Sequence, residues 1–357
     1  MTRVDGKAGR VASHGYTPAQ DSHSPELRID AADHAVLTED VRGRTIPTTE
    51  DALLAAPCSA YGSILTRLAP DGRVTLATYL PNRPLLDDQA RAWWPRFAPG
   101  GVQIIDSLDL QAPTPARLHC QPSAVAPGQL VTFIGGGFGP SRLVSASLDP
   151  DGSLPTALAD AQVRFDGTPA PLLFVSRGQI QAQVPYSLTL GARTRIEVVA
   201  DGRLLANFDA AAIPSSFRFF AAGGPTLLQA AALNEDGTPN SPDNPAPPGS
   251  VVSLFGQGAG LLLPPVQQGR IHSLTELSTV NEPVRVWLRG TNFILPLEVT
   301  YAGSAPGVST AVTQINIRLP EELPEGPARR ETGISVFLGT PGRYFMAPDA
   351  QVTIAMR

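Results

Sequence analysis

Ala126-Pro-Gly-Gln-Leu-Val-Thr-Phe-Ile-Gly-Gly-Gly-Phe-Gly139 returns further along the chain as Pro248-Gly-Ser-Val-Val-Ser-Leu-Phe-Gly-Gln-Gly-Ala-Gly260. A second pair follows in the same order: Gly178-Gln-Ile-Gln-Ala-Gln-Val-Pro185 and Thr313-Gln-Ile-Asn-Ile-Arg-Leu-Pro320. Two landmarks in one order mean two copies of one folding unit. The offset is 121 from Gly128 to Gly249 and 135 from Gln179 to Gln314, so the second copy carries about 14 extra residues. Longer loops near 263–280 and 301–312 are the expected place for them, because loops absorb insertions at low entropic cost. Short alternating segments fill both copies: 129–134, 162–165, 172–175, 179–184, 194–200 and 206–211, then 251–255, 284–288, 297–300, 314–319, 333–338 and 351–356. Turn signals about every ten residues between them predict an all-β fold of two tandem β-sandwiches, over 117–222 and 225–357.

Composition agrees with many turns and few long helices, since Pro (36) and Gly (33) are frequent among 357 residues. With 27 basic and 32 acidic residues the net charge is −5, so no footprint for nucleic acid or an anionic membrane appears. No apolar run reaches the length of a membrane span. The opening Met1-Thr-Arg-Val-Asp-Gly-Lys7 has no apolar core of signal-peptide length. Cys58 and Cys120 leave one disulfide and two free thiols equally open.

Ahead of the repeats, residues 1–43 are polar and without period, which predicts a disordered arm. Within 44–112, Ser63-Ile-Leu-Thr-Arg-Leu68 and Val74-Thr-Leu-Ala-Thr-Tyr-Leu80 flank Pro70-Asp-Gly-Arg73. An Asp-Gly turn between apolar alternations predicts a β-hairpin. A lone hairpin is marginal in water, so it must pack on something.

Cys120-Gln-Pro-Ser-Ala-Val-Ala-Pro-Gly-Gln-Leu-Val-Thr-Phe-Ile-Gly-Gly-Gly-Phe-Gly-Pro140, Pro171-Leu-Leu-Phe-Val-Ser-Arg-Gly-Gln-Ile-Gln-Ala-Gln-Val-Pro-Tyr186 and the Asn234-Glu-Asp-Gly-Thr-Pro-Asn-Ser241 loop resemble the Solibacter-type uncharacterized C-terminal domain, over about 118–357. One departure is the short link from Cys120 to Ala126. The resemblance implies tandem immunoglobulin-like, IPT/TIG-like modules and an extracellular setting, with no catalytic residues to carry over. Thr48-Thr-Glu-Asp-Ala-Leu53 and Leu65 to Leu80 resemble the bacterial β-propeller repeat called SBBP, about one blade's worth. A propeller needs several blades. The chain is therefore expected to be part of a longer exported protein of the cell envelope or exterior.

A search for chemistry gives little. Gly135 to Gly139 and Gly256 to Gly260 lack the Lys-Ser/Thr ending of a phosphate loop and the helix of a dinucleotide site; they read as bulges or positive-φ turns. His14, His23, His34, His119 and His272 have no metal-ligand spacing, so no metal and no cofactor are expected. Asp149-Pro-Asp-Gly152 and the Asn234 loop gather oxygen ligands of the kind calcium takes, but Asp, Asn and Gly also simply make turns. Trp93 and Trp94 are the candidate ligand-binding residues, as a sugar-stacking pair, although neighbours on a strand face opposite ways. Trp287 reads as core or half-buried. Gln179, Gln181 and Gln183 share one face of a strand, either a solvated stripe or a partner surface. The expectation from sequence is not an enzyme but a non-catalytic extracellular scaffold or adhesion module of unknown protein or glycan partner. A carbohydrate-binding accessory module of a larger secreted protein is the alternative.

Overall fold

The computed structural model describes residues 2–5, 10–13, 26–29, 34–42, 61–71, 73–80, 85–86, 91–97, 103–109, 117–223, 228–289, 293–322, 331–339, 345–346 and 352–356. Among them the chain is all-β, with strands in several sheets and no helix. None is therefore long and apolar enough to cross a membrane. The chain divides into two compact units: Met1–Cys120 with Phe133–Arg142 and Ser176–Gln179, and Gln121–Thr132 with Leu143–Val175 and Ile180–Arg357.

In the first unit β1 (Thr2–Asp5) and β2 (Arg10–Ser13) form a ribbon. A four-stranded antiparallel meander follows: β3 (Glu26–Ile29), β4 (Ala35–Arg42), β5 (Tyr61–Leu68) and β6 (Val74–Leu80). The β5–β6 hairpin is the one the Asp-Gly turn predicts. Strands β1 to β4 fall within the stretch 1–43 that the sequence reads as a disordered arm, and the rest of that stretch lies outside the described residues. The hairpin needs a third strand, and β4 supplies one with Val36 only 2% exposed. A three-stranded sheet of β7 (Leu85–Leu86), β8 (Arg91–Phe97) and β9 (Gln103–Asp109) completes this part.

The first repeat has two five-stranded sheets. One runs β10 (Arg117–Cys120), β12 (Leu130–Gly136), β17 (Gln179–Gln183), β16 (Leu172–Val175), β13 (Val144–Ser145). The other runs β11 (Ala124–Val125), β19 (Arg203–Ala212), β18 (Arg193–Ala200), β14 (Ala161–Phe165), β15 (Thr168–Pro169). Strands alternate buried and less buried residues, as in β14, so each sheet buries one face. Asp201-Gly202 closes the β18–β19 hairpin with φ of 49° and 69°, the left-handed pair a two-residue turn of the right twist demands.

The second repeat uses the same order. β20 (Arg218–Phe219), β24 (Val251–Gln257), β29 (Val312–Arg318) and β28 (Ile294–Ser304) match β10, β12, β17 and β16. β22 (Leu228–Ala230), β32 (Val352–Ala355), β30 (Glu331–Leu338) and β27 (Val284–Arg289) match β11, β19, β18 and β14. Even the parallel edge recurs: β11 runs parallel to β19, and β22 to β32. Short strands β21 (Ala221–Gly223), β23 (Ala232–Leu233), β25 (Leu262–Leu263), β26 (Thr279–Val280) and β31 (Phe345–Met346) pair at the margins. The Gly-rich turns agree as well, with Gly137 at φ 73° and Gly258 at φ 77°.

The copies differ in one strand. In the first repeat β15 and β16 are separate, interrupted at Ala170-Pro171. In the second, β28 is continuous for 11 residues; its start pairs with β27 and its end with β29, so the two sheets merge into one of thirteen strands. The extra residues sit here and in the loop 305–311, which replaces the short 176–178. The expected lengthening near 301–312 is seen. Little falls near 263–280, because 258–283 is matched by nearly as long a stretch, 137–160, in the first repeat.

The long loops of the second repeat clasp the first. Gln183, fully buried, accepts from the Gly269 amide at 2.7 Å and donates to Thr310 Oγ1 at 3.4 Å. Tyr186 donates to the Thr310 carbonyl at 2.7 Å, the Leu154 amide to Gly269 at 2.8 Å and the Leu130 amide to Gln257 Oε1 at 2.9 Å. Arg270 reaches the Asp151 backbone oxygen and pairs with its carboxylate at 3.1 Å.

Candidate functional site

Strand β27 is Val284-Arg-Val-Trp-Leu-Arg289, and period two sorts it. Val286 and Leu288, 1% and 0% exposed, enter the core of the second repeat. Arg285, Trp287 and Arg289 take the opposite face, the arginines exposed and Trp287 half-buried. Register sets the neighbours. Trp287 lies opposite Pro296 of β28 on one side and Ser335 of β30 on the other. Arg285 lies opposite Phe337, which is also half-buried, and Arg289 opposite Gly333. Trp287, Arg285, Pro296, Leu297 and Val299 line an open cavity of about 450 Å³. Ser335 and Gly333 leave low ground beside the indole. A Cβ added at Gly333 would stand in ordinary van der Waals contact with Arg289, whose nearest atom would be 3.5 Å away.

The same face of the first repeat holds a cavity of about 900 Å³ lined by Gln162, Arg164, Glu197, Asp160, Asp201 and Leu204, among others. Here Arg164 lies opposite Glu197 and donates to Gln162 at 2.8 Å. The position of the Trp287–Ser335 pair is thus taken by a pair of opposite charge, and no aromatic lines this cavity.

Trp93 and Trp94 are neighbours on β8, across from Ser107 and Asp106 of β9. Their side chains lie outside the described residues, as do Cys58 and the side chain of Cys120. The sequence reading of Trp287 as core or half-buried resolves to half-buried, yet it was not singled out as a site residue. The signal was present: arginines at 285 and 289, two residues either side, mark that face as outward.

The acidic loops are engaged. Ser153 donates its hydroxyl and amide to Asp151, and with Arg270 nearby these hold the carboxyl below its ordinary range. Thr238 does the same for Asp236. Among the described residues no three His, Cys, Asp or Glu side chains stand together as a metal cluster. His272 is buried, which lowers its pKa, and its Nε2 lies 3.2 Å from the Val312 carbonyl. His34 pairs with Arg67 at 3.1 Å.

No family model matches the chain, and no curated protein matches it. Solved structures do. One is the crystal structure of Gamma-CGTase from alkalophilic Bacillus clarkii, 12% identical, with a TM-score of 0.22; the match covers 90% of this chain and 36% of that one. The neighbour is by its name an enzyme. The expectation of a non-catalytic extracellular scaffold or adhesion module is corrected on that finding and goes no further. So slight a likeness gives this chain neither a fold nor an activity.

Proposed function

We propose that this chain binds carbohydrate on the outer face of β27, with Trp287 as the stacking surface. One observation carries the reading: Trp287 is half-buried on the strand face opposite the core residues Val286 and Leu288, and it lines an open cavity together with Pro296, its cross-strand neighbour. Stacked against the apolar face of a sugar ring, an amphipathic Trp keeps its polar edge in water. The small Ser335 and Gly333 leave room for such a ring. The first repeat, with Arg164 and Glu197 at the matching place, lacks the platform.

The body behind this face is read as two immunoglobulin-like sandwiches of the Solibacter-type family, carried on a longer exported protein. Support comes from the repeated strand order, with its first strand shared between the two sheets (β10 and β11, then β20 and β22). The β3–β6 meander has the four antiparallel strands of a propeller blade.

Affinity electrophoresis against a panel of soluble polysaccharides tests the site. At least one polymer should retard the native chain, and Trp287→Ala should weaken that binding at least tenfold, while Trp287→Phe retains part of it. Unaltered retardation of Trp287→Ala sinks the reading.

A further inference from the structure

We infer that the seam between the two repeats is a latch released in mild acid, with the His272 imidazole as its trigger. His272 stands where the two clasping segments of the second repeat meet. Its amide donates to the Val308 carbonyl at 2.7 Å, and its carbonyl accepts from the Gly307 amide at 3.2 Å. The Thr310 amide donates to the Arg270 carbonyl at 2.8 Å, and Ile271 bridges Ser309. Residues 270–272 and 307–310 therefore form a short paired ribbon. Both of its sides hold the first repeat: Gly269 and Arg270 through Gln183, Leu154 and Asp151, and Thr310 through Gln183 and Tyr186.

The ring ties this ribbon to the next strand. His272 is 5% exposed, and its Nε2 lies 3.2 Å from the Val312 carbonyl. A carbonyl only accepts, so Nε2 carries the proton at neutral pH and Nδ1 is bare. Among the described residues no hydrogen bond is made by Nδ1. Acid adds the second proton there and creates an enclosed cation. Nothing beside the ring takes up that charge. On its own loop stand Arg270, paired with Asp151 at 3.1 Å, and Glu276, which is exposed on the turn where Ser273 Oγ accepts its amide. The facing stretch from Ser304 to Val312 has no charged residue. The first repeat brings Asp151 and the Tyr186 phenol, whose hydroxyl goes to the Thr310 carbonyl. Burial lowers the imidazole pKa, and the Val312 carbonyl offsets only part of this. The unfolded chain takes up the proton near pH 6.5, the folded chain only in stronger acid. Stability due to the neutral ring is thus complete above about pH 6.5 and is lost as pH falls below it. The carboxyl of Asp151 is held below its ordinary range, so its pair with Arg270 stays ionised through this window.

Hydrogen exchange of the full chain, expressed as protection factors at about pH 7.5 and about pH 5, reads the latch on either side of the histidine value. The Gly269 and Leu154 amides bond across the seam, whereas the Phe255 amide bonds Ala231 inside the second repeat. Protection of the first two should fall about tenfold in acid while that of Phe255 holds. His272→Gln keeps a neutral N–H donor and cannot titrate, so its seam protection should be the same at both pH values. Should that variant be loosened already at neutral pH, an NMR titration of the native chain decides instead. The imidazole signals and the Gly269 amide should then move with one midpoint, below the ordinary histidine value. Equal seam protection of the native chain at both pH values overturns the latch, as does an imidazole midpoint at or above the ordinary value. An acid loss that persists in a well-folded His272→Gln overturns it too, and assigns the sensitivity to carboxylates such as Asp151.

Discussion

Tyr186 shows how one side chain is committed by burial. Its ring lies against the Gly128 backbone, where any Cβ would collide with it. Its hydroxyl donates to the Thr310 carbonyl at 2.7 Å, and burial pushes its pKa well above the ordinary tyrosine value. In the unfolded chain the phenol ionises near pH 10. The folded state holds the proton longer, so the stability this residue contributes is complete below about pH 10 and drains away as pH rises beyond it. Tyr186→Phe should cost about 1 kcal/mol at pH 8, the worth of one hydrogen bond. It should also remove most of the decline between pH 9 and 11. Urea melts of both proteins across that window measure it; parallel pH profiles would refute the assignment.

At the scale of the element, the loop over 234–244 works as a pin for the last strand. Asn240, 4% exposed, donates to the Ala355 carbonyl and accepts from the Ala355 amide, each at 2.9 Å. It also donates to Asn234 Oδ1 and accepts from Gln229 Nε2, both at 2.9 Å. Asn240→Ala strands several buried partners at once and should cost about 2–3 kcal/mol. Hydrogen exchange should localise the loosening to β32 and β22, where the C-terminal strand joins its sheet; an unchanged exchange rate there would show that the ladder alone holds β32. The segment was legible in sequence as a turn-forming loop, yet its partner was not, since Ala355 lies 115 residues away. The glutamine stripe of β17 teaches the same limit. Alternation put Gln179, Gln181 and Gln183 on one face, and they share it. Gln179 and Gln181 are half-buried, but Gln183 is fully enclosed, because the second repeat covers it. Period is written locally, whereas burial depends on what distant chain arrives. The same reason hid Trp287: its own strand gave the facing, but the low neighbours Ser335 and Gly333 come from β30.

Within the second unit, hydrogen bonds of amides and carbonyls link the two repeats at several points. Gln183 is central, because one side chain serves both the Gly269 amide and Thr310. Surface pairs such as Arg270 with Asp151 add at most about 1 kcal/mol. Truncating Gln183 to Ala leaves the Gly269 N–H without its acceptor inside the seam, at a cost of about 1–3 kcal/mol. Gln181 makes the fitting control. It lies on the same strand face and bonds Thr132 within its own repeat at 3.2 Å. Its loss should cost no more than about 0.5 kcal/mol. Calorimetry of the native chain should show the repeats melting together. In Gln183→Ala the peak should broaden or split as the repeats separate, while Gln181→Ala keeps the native profile. If both variants melt alike, the repeats are coupled by something other than this amide, and the longer loop at 305–311 has another purpose.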